Sequence, residues 1–207
     1  MLLDRQRVKF WQKWVFGLMA LIMAAFLVMI PLGGNMGCGG SSATDQLDKQ
    51  IVKYTAAVKA DAKNVTAWRA LGENYLLRAN QPEVDPAAQK ADWRAAADSY
   101  EKAVKLLGKQ KGKAARQQAA ETLDQLVNVY LYLEDYAMAT STYGRITALR
   151  PKDSEAFFNM ASVAIKANDT NAALLAFGKF LELEPDSPDA ATVRAWIKDN
   201  TPKGTGQ

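Results

Sequence analysis

Histidine is absent from all 207 residues. Its absence removes the usual general base near neutral pH and the commonest metal-binding side chain. Cysteine occurs once, at Cys38, so no intrachain disulfide forms and no cysteine cluster can hold zinc. Ser-His-Asp and Cys-His catalysis are excluded with them, and no glycine-rich phosphate loop is present. The chain is therefore expected to be no enzyme and to need no metal and no cofactor. Alternating β-type runs are also missing after residue 44, where Ala, Leu, Lys, Glu and Gln dominate at helical spacing. An all-α domain is the expectation.

Charge is missing from one stretch altogether. Residues 14–32, WVFGLMALIMAAFLVMIPL, carry no ionisable side chain over 19 positions. As a helix that run would span about 28 Å, close to the roughly 30 Å hydrocarbon core of a bilayer. Trp11 and Trp14 lie at its entry, where indole favours the interface. Arg5, Arg7, Lys9 and Lys13 precede it against Asp4, so most of the formal net charge of +4 sits here and about +1 is left for the rest. The positive-inside rule then puts residues 1–13 in the cytoplasm and everything after residue 32 on the other side. The apolar run exceeds the 7–15 residues typical of a cleaved signal peptide, which favours a retained anchor. The near-neutral remainder gives no reason to expect nucleic-acid binding.

Residues 33–44, GGNMGCGGSSAT, hold five glycines and two serines and read as a flexible linker with a reach of about 20 Å. Cys38 followed by Gly39 and Gly40 resembles a bacterial lipoprotein junction, which makes it a candidate acylation site. Of the preceding positions Gly37 fits that pattern, whereas Asn35 and Met36 depart from it. An unmodified thiol is the alternative reading.

Residues 45–200 carry an internal period. Pro151 and Pro185, Tyr143 and Phe177, and Ala139 and Ala173 are each 34 positions apart. Trp68, Leu71, Gly72 and Tyr75 stand at the spacing W-x2-L-G-x2-Y, and Ala96 and Tyr100 at A-x3-F/Y. These residues resemble the tetratricopeptide repeat (TPR), a helix–turn–helix unit closed by proline. Small residues at Gly72, Ala96, Ala139 and Ala173 would let helix axes approach, with Trp68, Tyr75, Tyr100, Tyr143 and Phe177 filling the space between. The expected layout is a half repeat at 45–63, repeats near 65–112, 120–153 and 154–187, a capping helix at 189–199 and a tail at 201–207. In the first repeat Asp85-Pro86 reads as an N-cap and first helical residue, extending the second helix backwards after a loop at 78–84.

The resemblance implies a right-handed superhelical stack whose first helices line a concave, peptide-binding groove. Carried onto this chain, the groove positions are Arg69, Glu73, Leu76, Asp124, Asn128, Leu131, Tyr132, Phe158, Ser162 and Ile165, with Tyr132 and Phe158 as aromatic anchors. Tyr132 has packing between neighbouring helices as its competing role. A carboxylate clamp is not expected, because Asp124 would repel an anionic terminus. Lys102, Lys105, Lys109, Lys111, Lys113 and Arg116 read as a solvated cationic face at a helix C-terminus. The functional expectation is a membrane-tethered scaffold or adaptor for protein partners on the extracytoplasmic side, with envelope chaperoning as one form. Residues 68–77 (WRALGENYLL) are similar to the first repeat of cytochrome c maturation accessory subunits, which implies apocytochrome presentation as an alternative. A self-associating structural module is a third.

Overall fold

The structure is a computed structural model that describes residues 42–202. The expected membrane segment at 14–32, Cys38 and most of the linker lie outside the described residues. Among the described residues no helix is long and apolar enough to cross a membrane.

The described residues form eight helices and no strand: α1 (Ala43–Ala60), α2 (Val65–Ala79), α3 (Pro86–Leu107), α4 (Lys113–Tyr132), α5 (Tyr136–Leu149), α6 (Ser154–Lys166), α7 (Thr170–Leu183) and α8 (Ala190–Asn200). Side-chain caps explain most of the starts. Asn64, Asp85, Asp135, Asp153 and Asp169 each accept a hydrogen bond from a main-chain amide of the following first turn. Each satisfies a donor that has no partner inside its helix. Ser42 and Asp45 cap α1 reciprocally, so helix begins inside the segment read as linker and takes in residues 43 and 44.

The 34-residue period is visible in the backbone. Tyr136 and Leu149, which bound α5, lie 34 positions before Thr170 and Leu183, which bound α7. Among the described residues Glu134 and Asn168, also 34 apart, are the non-glycine residues with positive φ, each at 57°. They follow α4 and α6 as left-handed C-terminal stops. The next amides, of Asp135 and Asp169, donate to Tyr130 O and Ala164 O at 2.9 Å, which closes the helix end and starts the next one within two residues.

The first repeat departs from that period. α3 has 22 residues where α5 and α7 have 14, the extra length lying at its N-terminus as the Asp85-Pro86 pair predicts. α4 begins at Lys113, so residues 113–119, which the expected repeat bounds leave unassigned, are helical. Arg78 belongs to α2 and not to the loop that follows it. Gly112 starts α4 at φ +112° with no side-chain cap. That placement corrects the cationic run: Lys113 and Arg116 stand in the first turn of α4, the helix end that disfavours cations, and only Lys102 and Lys105 precede a C-terminus.

Every helix packs chiefly on its neighbours in sequence, most extensively α2 on α3 and α6 on α7, and least on the α7–α8 side. The apolar core is consequently segmented. One cluster joins α1 and α2 through Ile51, Val58, Ala67 and Leu71. A larger one runs from α3 to α6 around Leu123, Leu126, Val127 and Ile146, and a third joins α6, α7 and α8 around Phe177, Phe180 and Val193. Tyr75 packs against both of the first two.

Candidate functional site

Ala96, Ala139 and Ala173 have no exposed surface, and Phe177 is 5% exposed. Leu71 and Gly72 are buried on α2, while Trp68, Tyr75 and Tyr143 are half-buried and Pro151 and Pro185 exposed at turns. The Trp68 indole N–H donates to Ala62 O at 3.0 Å, which ties α2 to the turn before it. Gly72 faces the Tyr100 ring so closely that an added Cβ would lie 2.9 Å from one ring carbon and 3.0–3.1 Å from two others. Tyr100 is 3% exposed and cannot step aside, so close approach of α2 and α3 demands glycine here.

That close approach leaves an open cleft of about 470 Å³ beside it. α2 supplies Thr66, Arg69, Ala70, Glu73, Leu76 and Leu77, α3 supplies Tyr100 and α4 supplies Gln125. The positions Arg69, Glu73 and Leu76 thus meet in one place. Arg69 leans toward Glu121 on α4 at 3.6 Å, and Gln117 donates to Glu121 at 3.1 Å. Glu73 is exposed and, among the described residues, has neither an ion pair nor a hydrogen-bond partner for its carboxylate. Burial pushes the Tyr100 hydroxyl well above the usual tyrosine range; the Glu73 charge adds to the shift and Arg69 opposes it.

The other groove positions are not gathered there. Asp124 lines a smaller cleft of about 190 Å³ with Tyr143, Arg150 and Asp153. It is engaged by the Arg150 guanidinium at 2.9 and 3.4 Å. Phe158 packs between Phe177 and Phe180, with ring centroids 5.7 and 5.2 Å away. Tyr132 does two things at once: it stacks on Trp93 at 5.4 Å and 10°, and it stays 49% exposed. Leu131 packs against the central cluster. The Ser162 hydroxyl donates to Phe158 O within its own helix. Asn128 and Ile165 are exposed and line neither cleft.

Sequence reading missed the residues that hold the long α3 in place. The Arg78 guanidinium donates two hydrogen bonds to the Asp92 carboxylate, at 2.5 and 2.8 Å, and a third to Asp48 on α1. It also lies 5.5 Å from the Tyr75 ring centroid. Asp92 is almost fully buried, with a side chain 7% exposed. Trp93, the next residue, is held on the α4 side by Tyr132, and its indole N–H is buried with no partner. No spacing rule relates position 78 to position 92, since an insertion separates them.

Among the described residues no group of three or more acidic or cysteine side chains is arranged to hold a metal. No family model matches the chain, and no curated protein matches it. Similar solved structures include YrrB, described as a TPR protein with an unusual peptide-binding site, at 22% identity over 78% of this chain and 74% of that one, with a TM-score of 0.49. MamA follows at 19% identity, covering 81% and 94%, with a TM-score of 0.47. The APC/C hetero-tetramer Cut9–Hcn1 is similar at 14% identity over 76% of this chain and 40% of that one, with a TM-score of 0.40.

Proposed function

We propose that the chain is a membrane-tethered TPR scaffold that holds a peptide segment of a protein partner against α2. The cleft beside Gly72 carries this reading. It is open and about 470 Å³ in volume, it joins three consecutive helices, and it mixes apolar wall with unpaired polar groups. Clefts of that size and character suit side chains of a bound segment. The uncharged run at 14–32 with basic residues before it supports the tether and an extracytoplasmic domain. The missing histidines and the 34-residue period support binding over catalysis.

A photoreactive amino acid at Leu77, which lines the cleft and is 46% exposed, tests the binding site in native membranes. The control is the same group at Leu175, which is 77% exposed and lies outside the cleft. Capture of a defined protein from position 77 alone is expected, and equal capture from both positions would sink the assignment. For the tether, the full chain should resist alkaline carbonate extraction. A reporter fused after Gln207 that is active only in the cytoplasm should stay silent.

A further inference from the structure

We infer that the cleft selects a basic side chain, so that the partner segment carries a lysine or arginine flanked by apolar residues and inserts it between Glu73 and Tyr100. The inference rests on the peptide-binding reading above and names the chemistry of its ligand. Three observations carry it. First, Tyr100 is 97% buried yet lines the cleft, and its hydroxyl has no hydrogen-bond partner among the described residues. The hydroxyl itself stays open to the cleft, so a bound segment that covers it must offer it a partner. Second, the Glu73 carboxylate beside it is unpaired, whereas the one cation of the cleft, Arg69, is drawn toward Glu121. Counting Arg69, Glu73 and Glu121, the local charge is −1, which favours a cation. Third, Leu76, Leu77 and Ala70 form apolar wall on the same helix as Glu73. A lysine or arginine needs both: apolar surface for its stem and a carboxylate for its head. The Tyr100 hydroxyl is then free to donate to a main-chain carbonyl of the segment.

The alternatives fit less well. An anionic segment would meet Glu73 without compensation. A purely apolar one would cover Glu73 and the Tyr100 hydroxyl and strand both.

Selection of random displayed heptapeptides on the full-length chain in detergent micelles tests the inference. The expected result is enrichment of sequences with one lysine or arginine between apolar residues. A synthetic peptide from that pool should bind the Glu73→Gln protein about tenfold more weakly, while replacing its basic residue by norleucine should cost the native protein a similar factor and the variant almost nothing. Glu73 is exposed and Glu73→Gln keeps its size, so the variant folds. Enrichment of peptides that crosslink at position 77 but show no basic preference, or whose affinity ignores Glu73→Gln, would overturn the selectivity and leave peptide binding standing. No enrichment of any sequence would remove both.

Discussion

Among the described residues glycine is tolerated at two helical positions but required at a third, and the difference is local. A methyl group at Gly72 collides with a buried ring, at Gly144 it would meet only the end of the Met160 side chain at 3.9 Å, and at Gly178 it would meet nothing. Alanine gains about 1 kcal/mol over glycine in a helix interior, whereas overpacking a core costs about 1–3 kcal/mol. Gly72→Ala should therefore destabilise by about 1 kcal/mol and Gly178→Ala should stabilise by up to about 1 kcal/mol, read as opposite shifts of the urea midpoint. Tyr100→Leu should erase the Gly72→Ala penalty, since the clash is with that ring. The same burial makes tyrosine a pH-sensitive element. Desolvation raises Tyr130 to about 12, with the Glu101 charge adding to it, and it raises Tyr100 and Tyr143 as well. An unfolded tyrosine titrates near 10. Between pH 10 and 12 the unfolded chain has lost these protons while the folded one keeps them, so unfolding releases protons and stability falls as pH rises. Below pH 10 these groups contribute no slope. Denaturation midpoints measured from pH 8 to 11.5 should be flat and then fall, and Tyr130→Phe should soften the fall.

At the level of elements, regular helices were legible from sequence and the irregular one only in part. Asp85-Pro86 announces the start of α3 because capping is local chemistry, readable from two adjacent residues. Its long N-terminal end is held by contacts that are not local. Arg78 and Asp92 clamp it to α2 and α1, and Trp93 on Tyr132 fixes it to α4. Nothing in the sequence pairs those positions, and Arg78 reads as loop because a helical arginine before a proline-containing segment looks the same as one that has left the helix. The groove positions show the same limit. Arg69, Glu73 and Leu76 share one face of one helix and are found together, whereas Phe158 is drawn into packing by Phe177 and Phe180, residues of the next helix. The clamp makes a distinct prediction. Arg78→Met leaves the Asp92 carboxylate buried without its cation, which should cost about 3 kcal/mol by urea denaturation. Arg78→Met with Asp92→Leu removes both charges and should recover most of that loss. A double variant as weak as the single one would show that the ion pair itself, and not the stranded charge, supplies the stability.

Across the described residues, stability is shared only between neighbours. Each helix leans on the one before and the one after, and the core divides into three clusters bridged at few places, Tyr75 being one. In such an array a defect weakens its own segment and the adjoining interface before it is felt elsewhere. α8 is the outermost element on the C-terminal side and packs least on its neighbour. What it contributes is cover: Trp196 stands edge-on to Phe177 at 5.3 Å, and Val193 completes the last cluster. Hydrogen exchange should therefore be fastest in α8, slower in α6 and α7, and slowest in α3 and α4, which lie in the largest cluster. Trp196→Ala removes the lid from Phe177 and should speed exchange across α6 and α7 while leaving α2 and α3 unchanged. A uniform acceleration from α2 to α8 would mean one cooperative core. The cleft on α2 could then not stay formed while the C-terminal helices open.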